Sequence, residues 1–75
     1  MSGLPPHTTG QQLIELCAPY GMVESARVVV FTETQTGQLQ GFGIVEMGSA
    51  EESRKMIGAL NGAQLEGRTL RCFSV

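Results

Sequence analysis

The sequence predicts an α+β fold in which two helices pack on one face of an antiparallel sheet, in the element order (β)αββαβ. Two stretches, after Thr9 and after Ser49, begin with capping-box sequences and then carry apolar residues at helical spacing. Between these helices lie two apolar segments typical of strands, separated by a polar loop that contains a glycine. Because 75 residues with 41% apolar content form at most one small core, residues 1–75 are predicted to be a single domain.

The N-terminal segment can form only a short first strand, since two consecutive prolines without N–H donors follow Leu4. Residues 9–12 have the T-x-x-Q pattern of a capping box, so the first helix is expected to begin there. The inner face of this helix carries Leu13, Leu16 and Cys17. Pro19 and Gly21 are expected to end the helix at about residue 18.

Two strands joined by a hairpin loop follow the first helix. Residues 23–31 are rich in β-branched side chains and are predicted to form the second strand. Residues 32–39 are polar and contain Thr36 followed by Gly37, which is typical of a turn. Residues 40–47 are predicted to form the third strand, antiparallel to the second because a hairpin loop joins them.

The second half of the chain is predicted to contain a helix and a final strand. Residues 49–52 have the S-x-x-E pattern of a capping box. The inner face of the helix that follows carries Ser53, Met56, Ile57 and Leu60. Asn61 and Gly62 stop this helix, since both tolerate positive φ. A short strand over residues 64–66, a glycine turn and a last strand over residues 69–75 complete the split βαβ arrangement of ferredoxin-like folds.

The charge balance limits both the partners and the chemistry of the chain. One Lys, four Arg, seven Glu and no Asp give a net charge of −2 and a pI of about 5.2. Non-specific attraction to phosphates is therefore expected to be weak, unless the five cations are clustered. With His7 as the single histidine, the sequence offers little for acid–base or nucleophilic catalysis, and we predict no cofactor and no small-molecule substrate.

Cys17 and Cys72 are predicted to be reduced core residues. They are far apart in the sequence and form neither a C-x-x-C pair nor a metal-ligand spacing. No stretch of the sequence is long enough to span a membrane, and the N-terminus lacks the features of a signal peptide. We therefore expect an intracellular protein that does not bind membranes, with nuclear, cytoplasmic and organellar locations left open.

Residues 40–47, QGFGIVEM, resemble the octamer K/R-G-F/Y-G/A-F-V-x-F/Y of the RNA recognition motif. Four positions match the octamer: Gly41, Phe42, Gly43 and Val45. Three positions differ from it: Gln40, Ile44 and Met47. Other segments follow the family's order and spacing: Leu4-Pro5, Thr9 with Leu13, Leu16 with Tyr20-Gly21, Leu60-Asn61-Gly62 and Gly67-Arg68-x-Leu70. The resemblance covers nearly the whole chain and implies a ferredoxin-like fold whose sheet binds single-stranded RNA.

The family's second signature, an apolar–aromatic hexamer on the first strand, is represented here only by residues 1–4. That strand is central in the family's sheet, so its loss would leave unpaired main-chain groups on two neighbouring strands. Either further residues precede Met1 and complete the strand, or a partner or swapped chain supplies the missing pairing. The first explanation is the simpler one.

Alternate residues of a strand lie on opposite faces, which divides the strand residues into two sets. The set expected to face the helices is Gly41, Gly43, Val45, Met47, Ala26, Val28, Val30, Leu70 and Cys72. The set expected to face outward is Gln40, Phe42, Ile44, Glu46, Arg27, Val29, Phe31, Thr69, Arg71 and Phe73. All three phenylalanines thus lie outward with two of the five cations, a composition typical of surfaces that stack single-stranded bases. A bulge in the second strand would turn Phe31 to the other face, and this alternative stays open.

The predicted RNA-binding residues are Phe42, Ile44, Gln40, Arg27, Arg71, Phe73, Phe31 and Val29. The phenylalanines are expected to contact sugars and bases, and the arginines to bind phosphates or stack on bases. Gln40 stands where the family has a cation, so one phosphate contact is expected to be lost. Ile44 stands where the family has a flat ring, so that stack is weakened. Binding of single-stranded RNA is therefore expected to be weak and low in sequence specificity.

Two alternatives to RNA binding remain. The same apolar face would suit a protein partner or self-association, since the chain is acidic and Val29 and Ile44 are aliphatic. Family members that bind peptide ligands carry Arg-x-Phe after the second helix, and residues 68–70 lack that marker.

Acylphosphatases, which are enzymes, share the topology but need a phosphate-binding loop with an Arg and an Asn. Gly21 and Asn61 are sufficiently explained as turn residues, so we do not expect an enzyme.

Overall fold

The helices and strands follow the predicted order. A computed structural model describes residues 1–74. Its elements are β1 (Ser2–Leu4), α1 (Gly10–Cys17), β2 (Val23–Thr32), β3 (Leu39–Met47), α2 (Ala50–Leu60), β4 (Gln64–Leu65) and β5 (Arg68–Thr69). A 3₁₀ turn, Ala18–Tyr20, follows α1 directly and contains the predicted helix-ending proline. The predicted boundaries of α1, β2, β3 and α2 are confirmed to within one residue.

The sheet is antiparallel, with the strand order β1–β3–β2. Arg71 lies on the open side of β1, where its N–H and C=O exchange hydrogen bonds of 3.1 and 2.8 Å with Ser2. β4 and β5 pair only with each other, as a small hairpin. Both helices pack on one face of this sheet, and the predicted α+β, ferredoxin-like arrangement is confirmed.

Both helices begin at the predicted caps, but the second cap is one-sided. Gln12 N–H donates to Thr9 Oγ1 at 3.1 Å, and Thr9 N–H donates to Gln12 Oε1 at 2.9 Å, which completes the first capping box. At α2, Glu52 N–H donates to Ser49 Oγ at 3.2 Å. The Glu52 carboxylate does not return this bond and instead accepts the N–H of Met22 at 3.2 Å. It thereby ties the start of α2 to the start of β2.

The core between sheet and helices is small and aliphatic. Its buried members are Met1, Leu4, Leu13, Cys17, Met56, Leu60, Leu70 and Cys72. Both cysteines are free and buried, as predicted. Burial raises the pKa of the Cys17 and Cys72 thiols, and the proximity of Cys72 raises the pKa of Cys17 further. The two thiols therefore stay protonated and pack as small apolar side chains.

Two expectations about the strands are wrong in detail. The last strand was expected over residues 69–75; within residues 68–74, strand pairing is limited to Arg68–Thr69 and the bridge at Arg71, because β5 pairs with β4 in a hairpin of its own and not with β1. Residue 75 lies outside the described residues. Val30 was expected in the core, yet it is 47% exposed. It lies on the part of the β2–β3 hairpin that extends past the core residues covering Val28.

Candidate functional site

The outer residues of β2 and β3 form three adjacent cross-strand pairs. Arg27 lies opposite Ile44, Val29 opposite Phe42, and Phe31 opposite Gln40. Directly opposite residues of an antiparallel pair share a face and have Cβ atoms about 5 Å apart. Six of the eight predicted site residues thus form one continuous patch. We call the eight residues the platform: Phe42, Ile44, Gln40, Arg27, Arg71, Phe73, Phe31 and Val29.

Phe31 lies on the platform face, and the alternative in which a bulge turns it away is wrong. The pairing of β2 with β3 is continuous from residue 25 to residue 32. The one irregularity in this ladder lies between Val23 and Ser25, near the opposite end of the strand. Phe31 is 46% exposed and therefore has ring surface free for a ligand.

A row of directly paired residues crosses the whole sheet through Phe42. Ser2 of β1 lies opposite Phe42 on one side and opposite Arg71 on the other, while Val29 flanks Phe42 from β2. Neighbouring strands are about 4.8 Å apart, so Arg71 lies about 10 Å from Phe42, with only the small Ser2 between them. A nucleotide stacked on Phe42 would therefore have its phosphate within reach of the Arg71 side chain.

The platform is apolar, exposed and supplied with two cations. Ile44 is 41% exposed, Val29 46% and Phe73 65%, while Phe42 is partly buried and held by its neighbours. Among the described residues, the close contacts between a basic side chain and a carboxylate are Lys55–Glu51 and His7–Glu66, both away from the platform. Within residues 1–74, Arg27 and Arg71 therefore carry no carboxylate partner and keep their charge available for phosphate oxygens.

A groove separates Phe73 from the strand that carries Phe42 and Ile44. It has a volume of about 600 Å³ and lies between the second half of β3 and residues 72–74, with α2 as its floor. Met1 and Gly43 exchange two main-chain hydrogen bonds of 2.7 Å at its inner end. Antiparallel ladders repeat every second residue, so Val45 and Met47 direct their N–H and C=O groups into this groove. No strand within residues 1–74 pairs with that edge.

One platform contact was not foreseen from the sequence. Arg68 Nη1 donates to Gln40 Oε1 at 3.2 Å, although the two residues are 28 positions apart. In the sequence, Arg68 belongs to the family segment Gly67-Arg68-x-Leu70 and to the place of the absent Arg-x-Phe marker, and neither predicts a contact with Gln40. No local pattern signals this contact, since it depends on the β4–β5 hairpin returning beside the start of β3. The first octamer position thus lacks its own cation but has a guanidinium beside it.

Other kinds of site have little support in the described residues. Within residues 1–74, no cluster of three or more His, Cys, Asp or Glu side chains is arranged to hold a metal ion. None of the helices in that range combines the length and the apolar character needed to cross a membrane. A second cleft, of about 330 Å³, is bordered by Glu15 and Glu66 and is unsuited to phosphate groups.

Comparisons with known sequences agree with this geometry. The family model described as RNA recognition motif matches residues 1–71. The mouse RNA-binding motif, single-stranded-interacting protein 1 is 38% identical over 66 residues, which cover 85% of this chain and 16% of the mouse protein. The protein RbpA of Nostoc sp. is 42% identical over 71 residues, covering 95% of this chain and 68% of RbpA.

Two solved structures resemble the chain over nearly its whole length. The Rna15 RRM with bound RNA (GU) has a TM-score of 0.78 and 30% identity, and the match covers 99% of this chain and 77% of that one. The RNA binding protein PG1 has a TM-score of 0.71 and 36% identity, with 91% and 81% covered. The shared features therefore extend well beyond the octamer.

Proposed function

We propose, because the chain belongs to the RNA recognition motif family, that it binds single-stranded RNA on the platform. The observation that carries this proposal is the uninterrupted pairing of Arg27, Val29 and Phe31 with Ile44, Phe42 and Gln40. This pairing puts aromatic rings and the Arg27 side chain on one exposed surface. Base stacking on aromatic rings, with cations along the phosphates, is the general way in which proteins bind single strands.

The three phenylalanines have different roles in this proposal. Phe42 is partly buried and flanked on both sides, so its ring is the fixed centre on which a base or sugar packs. Phe31 and Phe73 are more exposed and extend the contact towards the hairpin and the groove. Ile44 has no π face and contributes apolar contact only. One full stack at about 1–3 kcal/mol, with partial contacts beside it, gives affinities no tighter than micromolar.

Two similar proteins support RNA as the ligand. One is the Rna15 RRM in its structure with bound RNA (GU), and the other is the mouse RNA-binding motif, single-stranded-interacting protein 1. The matched segment spans 16% of the mouse protein. The proposal therefore concerns RNA binding by this domain and no other activity of the longer protein. The net charge of −2 argues for a weaker phosphate contribution than a basic domain would have.

The salt dependence of binding tests the proposal. Arg27 and Arg71, with Arg68 as a third cation near the platform, correspond to two or three phosphate contacts. For single strands the logarithm of the affinity then falls with the logarithm of salt with a slope of about −1.4 to −2.1. Fluorescence anisotropy with labelled oligouridine measures this slope. Arg27→Gln should make the slope shallower by about 0.7, whereas Lys55→Gln, remote on α2, should leave it unchanged. An absence of measurable binding at low salt would contradict the proposal.

A protein partner on the same surface is the second candidate. The observation that favours it is the exposed apolar surface formed by Val29, Ile44 and Phe73, since contiguous apolar patches mark sites of association between proteins. Sedimentation velocity over a range of protein concentrations tests self-association, and a pull-down with and without nuclease tests other partners. A strict monomer whose captured proteins are all released by nuclease would eliminate this candidate.

A further inference from the structure

The contact between Arg68 and Gln40 fixes the chemistry that Gln40 presents to a ligand. An arginine side chain has five N–H donors and no acceptor, so it can only donate. Arg68 Nη1 lies 3.2 Å from Gln40 Oε1, and both side chains are partly buried. The reverse orientation of the amide would put its NH₂ group against the guanidinium, donor against donor. The amide oxygen of Gln40 is therefore held towards Arg68.

The amide NH₂ of Gln40 remains open. Within residues 1–74, Oε1 is the one side-chain atom of Gln40 that forms a hydrogen bond. No buried side-chain nitrogen or oxygen in that range lacks a partner, so Gln40 Nε2 must reach the surface. Gln40 lies opposite Phe31 and on the same face as Phe42. Its two N–H donors are thus part of the platform, where a base stacked on the neighbouring rings would meet them.

We propose that Arg68 is a specificity-determining positioning residue, which makes Gln40 a donor-only contact that favours bases with a carbonyl, not an amino group, at position 4 of a pyrimidine or position 6 of a purine. Uracil and guanine offer a carbonyl oxygen where cytosine and adenine have an amino group. When the Gln40 amide N–H faces the amino group of cytosine or adenine, two donors meet and neither finds an acceptor. Cytosine and adenine are therefore disfavoured at this position. This inference rests on the proposed function and adds one selective position to an otherwise tolerant surface.

Paired oligonucleotides test the inference by a ratio of affinities. Oligouridine and oligocytidine of equal length carry the same number of phosphates, so their affinity ratio removes the charge contribution. The wild-type domain should bind oligouridine roughly fivefold to tenfold more tightly, the effect of one hydrogen bond at a partly exposed site. Oligoinosine against oligoadenosine repeats the comparison of carbonyl with amino group in purines and should show the same direction.

Three variants separate the positioning role from simple loss of charge. Arg68→Met frees the Gln40 amide to rotate and should bring the ratio close to one. Gln40→Glu keeps an acceptor for Arg68 but presents an acceptor to the base, so the preference should reverse in favour of oligocytidine. Arg71→Met removes an equal charge from the same face and should weaken both oligomers equally while leaving the ratio unchanged. Amide spectra of each variant establish that the fold is retained.

The possible results distinguish this inference from the proposed function. If the wild-type domain binds both oligomers with equal affinity, or if Arg68→Met keeps the wild-type ratio, the inference is overturned and RNA binding stands. If Gln40→Glu keeps the preference for oligouridine, donation by the Gln40 amide is not its source, and the inference is likewise overturned. If neither oligomer binds, both the inference and the proposed function are overturned.

Discussion

Replacement of Phe42 by Ala should weaken RNA binding strongly and leave the domain folded. Loss of one stacked base costs about 1–3 kcal/mol, which is a decrease in affinity of about 5-fold to 150-fold. Removing a buried Phe side chain costs about 3–5 kcal/mol of stability, and Phe42 is only partly buried, so about 2–3 kcal/mol is expected. A 75-residue domain has a free energy of unfolding of about 4–11 kcal/mol, which leaves most molecules folded.

The assay combines anisotropy with oligouridine and urea unfolding of the same preparations. Phe42→Leu keeps most of the apolar volume but has no π face, so it should lose affinity at a smaller cost in stability. Met22→Ala is the matched control, because Met22 is 69% exposed and lies outside the platform. It should change neither affinity nor the urea midpoint appreciably. If Phe42→Ala costs several kcal/mol of stability and leaves RNA affinity unchanged, the assignment of Phe42 to the binding face is wrong.

Three further predictions concern the scaffold. Gly58→Ala should raise the free energy of unfolding by about 1 kcal/mol, because a Cβ on this helical residue meets no atom within 4 Å; a lower urea midpoint would refute this. Gly41→Ala should lower the free energy of unfolding severely, since the added Cβ would lie 2.8 Å from the main-chain oxygen of Leu4. An unchanged urea midpoint would show that β1 can move away from this contact. Cys17 and Cys72 should react far more slowly with a thiol reagent in the native domain than in urea, because burial raises both pKa values; equal rates would contradict their burial.

The outer face of the sheet could be predicted from the sequence because side chains in a strand alternate strictly. Once the octamer identified β3, the outward positions of Phe42 and Ile44 followed, and the same alternation gave the outward residues of β2, namely Arg27, Val29 and Phe31. The starts of both helices were equally accessible, since a capping residue acts within three positions of the chain. Each of these features is determined by neighbours in sequence.

Features that depend on distant parts of the chain were not accessible in this way. Glu52 was expected to complete its own capping box but bonds to Met22, because the end of α1 brings the start of β2 against α2. The contact of Arg68 with Gln40 depends on how the β4–β5 hairpin returns towards β3. In both cases the local sequence offers the group, but tertiary structure selects its partner.

The most direct test of RNA binding on the platform is an amide NMR titration of the domain with oligouridine. The largest chemical-shift changes should fall on β3 and its neighbours, at Ser2, Val29, Phe42 and Ile44, and should saturate at micromolar to millimolar RNA. Amides of α1 and α2 on the opposite side of the sheet should change little. Shift changes confined to the helices, or none at all, would contradict the account.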